Sequence, residues 1–127
     1  MDLAFHHIAI ICSNYPQSKH FYHKVLGFEI IEETYRAARD SYKLDLAIPS
    51  GGQIELFSFP NAPERPSYPE AQGLRHLAFA VNDIEENIQQ LAKHNIAVEP
   101  IRIDELTGKA FTFFQDPDGL PLELYQK

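Results

Sequence analysis

HIAIICSN (His7–Asn14) and HLAFAVND (His76–Asp83) carry one pattern twice: a histidine, alternating apolar residues, then an Asn or Asp able to cap a helix. Each half also ends alike. PSGGQIELF (Pro49–Phe57) aligns with PDGLPLELY (Pro117–Tyr125), pairing Gly51 with Gly119, Glu55 with Glu123 and Leu56 with Leu124. The two histidines lie 69 residues apart and the two glutamates 68, so one residue of length change fits both halves to a single unit.

Around these anchors each half reads βαβββ. In the first, residues 5–12 alternate as a strand, Asn14 caps a helix with Pro16 in its first turn, Phe21 and Val25 share a helical face, and Gly27 stops it. FEIIEETYR, YKLDLAIP and QIELFSF are three more strands, the last two joined by a turn at Ser50-Gly51-Gly52. Pro60, Pro63, Pro66 and Pro69 mark residues 60–74 as a linker between module 1 (residues 1–59) and module 2 (residues 75–127) of one domain. The second half offers a strand over 75–81, a cap at Asn82 or Asp83, and a helix with Ile84, Ile88 and Leu91 on one face. Strands near 97–103, 110–115 and 120–126 follow, with a tight turn at Asp116-Pro117-Asp118-Gly119.

The period of two assigns faces. Ile8 and Ile10, like Leu77 and Phe79, pack under the helix, which leaves His7 and His76 on the other face beside Ala9 and Ala78. Ile54 and Leu56, like Leu122 and Leu124, point to the core and leave Glu55 and Glu123 on the face of Phe57 and Tyr125. One His and one Glu from each half make a pseudo-symmetric His2Glu2 set. His6, His20, His23 and His94 have no imidazole counterpart in the other half and read as non-ligands.

Two imidazoles and two carboxylates suit one divalent ion such as Zn²⁺, Ni²⁺, Co²⁺, Mn²⁺ or Fe²⁺, and the absence of thiolates argues against a closed structural zinc site. Four ligands on an octahedral ion leave positions for substrate, and a carboxylate at its edge can take and return a proton. Composition excludes other classes. A net charge of −7 with no basic run does not suit nucleic acid, and no apolar stretch is long enough to cross a bilayer. Cys12, the only cysteine, reads as a small buried hydrophobe, and with no leader segment the expected setting is the cytoplasm. Arg36, Arg39, Lys43, Arg65 and Arg75 could hold an anionic substrate but, being scattered, read as solvated surface.

The doubled unit, with HIAI, HLAF, IELF and DPDGLPLELY, resembles the vicinal-oxygen-chelate superfamily, the group of glyoxalase I, extradiol dioxygenases, fosfomycin-resistance enzymes and bleomycin-resistance proteins. SYKLDLA, IELFSFP and ERPSYPEAQGLRHLAF are similar to a small bacterial glyoxalase-like branch. The resemblance implies an α+β fold of two βαβββ modules curled into a cupped, mixed-sheet half-barrel, with the metal on His7, Glu55, His76 and Glu123. It also implies a lyase or isomerase of glyoxalase type, acting on a small carbonyl or thiol-adduct substrate through a metal-bound enediolate, with Glu55 and Glu123 as the proton-transfer candidates. Glu123 is the better of the two because it follows the DPDG turn at the chain end, where less structure is expected to constrain its strand. A metal-dependent binding or resistance protein without turnover is the alternative. An extradiol dioxygenase or a fosfomycin-type thiol transferase fits less well, because Glu55 fills a position that their three-ligand pattern leaves open. Exposed sheet edges point to a homodimer.

Overall fold

The computed structural model describes residues 1–127 and contains two compact units, Met1–Glu64 and Arg65–Lys127. The first unit runs β1 (His7–Cys12), α1 (Tyr15–His20), β2 (Glu29–Arg36), β3 (Ser41–Ala47) and β4 (Gln53–Ser58). The second runs β5 (Leu77–Val81), α2 (Ile84–Lys93), β6 (Arg102–Ile103), β7 (Ala110–Gln115) and β8 (Pro121–Gln126). Each unit forms a four-stranded mixed sheet, in the orders β1-β4-β3-β2 and β5-β8-β7-β6. The first strand of each pairs in parallel with the last, and the other pairings are antiparallel. This is the α+β, two-module architecture expected from the repeat.

The helices begin where the sequence places them. The Asn14 side chain accepts from the Gln17 amide at 3.1 Å and Asp83 from the Glu86 amide at 3.1 Å, so each cap satisfies a donor that the helix leaves free. Gln126 ties α2 to the end of β8: its Oε1 accepts from Ile84 N at 2.9 Å and its Nε2 donates to Asn82 O at 2.6 Å. The cores lie on the faces assigned by alternation, although Ile8, Leu77 and Phe79 are only half-buried. Ile10, Cys12, Leu44, Leu46, Ile54 and Leu56 are buried in the first unit, and Ile84, Leu91, Phe114, Leu122 and Leu124 in the second. Each fully buried leucine contributes about 2 kcal/mol of transfer free energy.

Two segments depart from expectation. The first helix is not α-helical throughout: Phe21–Val25 form a π-helical turn in which Leu26 N donates to Phe21 O at 2.9 Å. Phe21 and Tyr22, which open this turn, are both buried. The strand expected near 97–103 shrinks to Arg102–Ile103. Pro100 has no amide to donate, and only Glu99, whose N donates to Phe113 O at 2.9 Å, continues the pairing toward α2.

The turns before the glutamate strands are built differently. Gly52 has φ +80°, a conformation that strains any residue with a Cβ, and the Phe5 ring packs against it. In the second unit Asp116 Oδ1 accepts from the Asp118 and Leu120 amides, both at 2.9 Å, and Gly119 at φ +86° closes the turn. No helix is long and apolar enough to cross a membrane.

Candidate metal centre

In β1 and β4, Ala9 sits directly beside Glu55, and His7 lies two residues before Ala9, paired with Gln53. His7, Ala9 and Glu55 therefore share one face. Because the residue against Glu55 is only a methyl group, the imidazole has room to lean along the sheet, and His7 Nδ1 lies 3.3 Å from Glu55 Oε2. The second unit repeats the arrangement. Ala78 sits beside Glu123, and His76 Nε2 lies 2.9 Å from Glu123 Oε2. The histidines are partly open, with side chains 39% and 29% exposed, while the carboxylates are recessed at 13% and 11%.

Each spacing, taken within its own unit, matches the separation of two ligand atoms on an ion. Two ligand atoms, each about 2.1 Å from a metal, lie about 3.0 Å apart at a right angle and about 3.4 Å apart at a tetrahedral angle. Each facing nitrogen meets another candidate ligand, His76 Nε2 its Glu123 and His7 Nδ1 its Glu55. The other ring nitrogen of His76, Nδ1, is buried with no hydrogen-bond partner, which is uncommon for a buried polar atom. In the first unit His6 Nδ1 lies 2.8 Å from His7 Nδ1, and His6, His7 and Glu55 bring three potential ligand atoms within 4.8 Å of one another. Two imidazole nitrogens and a carboxylate oxygen gathered this closely form a mixed donor set that fits a divalent ion.

His6 has no imidazole counterpart in the second unit, where Arg75 precedes His76. Its proximity to His7 follows from its position just before β1, where the alternation that separates consecutive side chains has not begun. Of the remaining histidines, His23 Nδ1 pairs with Phe28 O at 2.7 Å, a contact that serves the helix end, and His20 and His94 belong to neither pair.

The surroundings of the two pairs differ. Asp45 lies opposite Glu55, and Lys43 offsets that like-charge contact with Nζ at 2.8 Å from Asp45 Oδ1 and 3.8 Å from Glu55 Oε1. The hydrogen bond from Lys43 to Asp45 raises the lysine pKa above its usual range. In the second unit Phe113 occupies the place opposite Glu123 and meets the His76 ring edge to face at 5.1 Å. Phe111 stacks on Tyr125, whose hydroxyl donates to Asp104 at 3.0 Å. The strand carrying Glu123 is an inner one, bonded to β5 and β7, so looseness at the chain end does not single out this carboxylate. What does is its lack of a lysine or arginine partner, which Glu55 has in Lys43.

The sequence pattern of the Glyoxalase/Bleomycin resistance protein/Dioxygenase superfamily matches residues 4–124, a span that includes all four of these residues. The chain belongs to this superfamily. It is 60% identical over 124 residues to the uncharacterized protein YwkD of Bacillus subtilis (strain 168), covering 98% of this chain and 97% of that one. The uncharacterized protein YaeR of Escherichia coli (strain K12) is 60% identical over 122 residues, covering 96% and 95% of the two chains. Among solved structures, the glyoxalase family protein from Enterococcus faecalis is 52% identical with a TM-score of 0.90, covering 96% of each chain. Superfamily membership accounts for the repeated strand order and leaves the chemistry to the residues that line each His–Glu pair.

Proposed function

We propose that the protein is a divalent-metal-dependent, glyoxalase-like lyase or isomerase in which His7, Glu55, His76 and Glu123 hold one ion. The observation that carries this reading is the repeated His–Glu contact at ligand-bite spacing, 3.3 Å in one unit and 2.9 Å in the other. Zinc, nickel, cobalt, manganese and iron all accept such a mixed nitrogen and oxygen set. When bound, the ion supplies Lewis acidity toward a carbonyl oxygen of a small carbonyl or thiol-adduct substrate.

Glu123 serves as the base. Its Oε2 would take the proton from the hydroxyl-bearing carbon next to the substrate carbonyl, the C–H electron pair forming a C–C double bond as the carbonyl pair moves onto its oxygen; the same carboxyl would then return the proton to the former carbonyl carbon as the hydroxyl oxygen becomes the new carbonyl, its O–H proton passing to the other oxygen. Only the contact with His76 has to give way for this carboxylate to act, whereas Glu55 is also drawn toward Lys43. Phe113 and Phe111 present apolar surface beside Glu123, which limits the water able to compete for the proton.

We also propose that the protein works as a homodimer. β1 and β2 are the edges of one sheet and β5 and β6 of the other, and Ile11, Ile31 and Ile103 on these strands are exposed. Sedimentation at micromolar concentration should give the dimer mass, and monomer alone would reject it.

The function is tested by loading the purified protein with each candidate ion and following depletion of hemithioacetals and small 2-oxoaldehydes. Turnover that depends on a redox-silent ion supports the isomerase. Saturable binding without depletion would replace it with a binding or resistance protein.

A further inference from the structure

The face of the first sheet that carries Glu55 also carries Arg36. Asp45 pairs with Glu55, Lys43 with Phe57, and Ser41 with Arg36, so alternation places Glu55, Phe57, Lys43, Ser41 and Arg36 on the same side. The guanidinium lies over the Phe57 ring, with Cζ 4.9 Å from its centroid, and 5.6 Å from that of Phe59, the two rings themselves being nearly parallel. Nη2 donates to Ser41 Oγ at 2.9 Å, and Ser41 is fully buried. The head group is thus fixed in place before any ligand arrives.

Its charge is unanswered. Arg36 forms no ion pair with any carboxylate, and its Nε is buried without a hydrogen-bond partner, in a chain with 18 acidic and only 11 basic residues. Other cations of the chain are engaged differently. Lys43 is held by Asp45 and Glu55, Arg65, whose Nε is likewise buried without a partner, donates to the carbonyls of Leu74 and Arg75, and Arg102, also stacked on two phenylalanines, is exposed and faces Glu99 at 3.6 Å. A guanidinium held by rings and a hydroxyl, partly desolvated and lacking a counter-charge, favours an oxyanion more than an exposed arginine does.

We propose that Arg36 is an oxyanion subsite beside the metal centre. Resting on the functional reading above, the inference assigns the substrate class: a small carbonyl compound that also carries a carboxylate or phosphate. Phe57 lies two residues along β4 from Glu55, about 7 Å of strand. The anionic group therefore sits only a few bonds from the reacting carbonyl. Recognition is through the guanidinium N–H groups left free by Ser41, and the two phenylalanine rings keep water from the inner side of the head group.

The test uses the full-length, chelator-treated protein labelled with ¹⁵N, so that anion binding is read apart from metal binding. The Arg36 Nε–H, shielded from solvent, is followed during titration with inorganic phosphate and, separately, glycolate at constant ionic strength, and is assigned by its absence in Arg36→Lys. Saturable movement with either probe is expected, weakened several-fold in Ser41→Ala, while the Phe57 backbone amide, followed in parallel, should read a weakening of about tenfold in Arg36→Lys, and the spectra of both variants report that the fold is intact. Saturation by phosphate alone assigns a phosphate ester, and by glycolate alone a carboxylate. A signal that moves with neither probe, or only linearly like that of Arg102, overturns the subsite. Metal content of Arg36→Lys after reloading should equal that of the unsubstituted chain. A failed metal reading would instead appear as an unsubstituted chain that does not take up the ion.

Discussion

The two units share a strand order and a His–Glu pair, yet the first surrounds its pair with charge and the second with aromatic rings. At the position beside the glutamate the first unit has Asp45 and the second Phe113; at the next position along they have Lys43 and Phe111. A repeat can hold its backbone and ligand positions while its lining diverges, because strand register fixes where a side chain emerges and leaves its identity free wherever it does not enter the core. Glu55 is restrained by a cation and suits the role of a constant ligand. Glu123 has a single polar partner in His76, which suits a carboxylate that must let go.

The largest effects test where the units should agree. Leu44 and Leu122 are both fully buried on inner strands, so Leu44→Ala and Leu122→Ala should each cost about 2 to 5 kcal/mol in urea denaturation. A loss below about 1 kcal/mol at either position would break the equivalence of the two cores. The next test is where they should differ. Glu123→Gln keeps the shape and a weak ligand oxygen but removes the base, and should lower turnover by about 10² or more with the metal retained. Glu55→Gln should lower it by about tenfold, through metal affinity rather than proton transfer. Equal losses at both positions with full occupancy would make the two carboxylates interchangeable.

Smaller effects should separate the units by pH. Hydrogen bonding to Asp45 raises the Lys43 pKa, so the contribution of that pair is complete below the ordinary lysine range and is lost as pH rises through the raised value, above about pH 10. In the second unit the amide of Leu106, and then the Tyr125 hydroxyl, hold the Asp104 carboxyl below its usual range. Its contribution is present above the ordinary aspartate pKa and is lost as pH falls through the lowered value, below about pH 4. Stability measured against pH should therefore lose part of its acid slope in Asp104→Asn and part of its alkaline slope in Lys43→Met. An unchanged acid slope in Asp104→Asn would mean that this carboxyl does not support the turn between β6 and β7.

Much of the frame was legible in the sequence because alternation and caps are local signals. The buried face of β1, the caps at Asn14 and Asp83, and the shared face of each His and Glu follow from the period of two and from short polar residues before apolar runs. The π-turn at Phe21–Val25 was not legible, since two buried aromatics four residues from other apolar groups read equally well as α-helix. The shortening of β6 turned on Pro100, whose missing donor outweighed the β-branched residues around it. At the site, the histidines and glutamates announced themselves by repetition. Lys43, Asp45, Phe113 and Arg36 could not, because their nearness to the pairs depends on cross-strand register, and His6 could not, because the other half has Arg75 at its place.

The central claim is that both units supply ligands to one ion, and elemental analysis of the reloaded protein tests it most directly. After dialysis against a single divalent metal, the unsubstituted chain should hold about one ion, and His7→Ala and His76→Ala, both still folded, should each fall to about one tenth of that occupancy or less. Two ions per chain, or one ion retained when either histidine is removed, would mean that the pairs bind separately and that the shared centre does not exist.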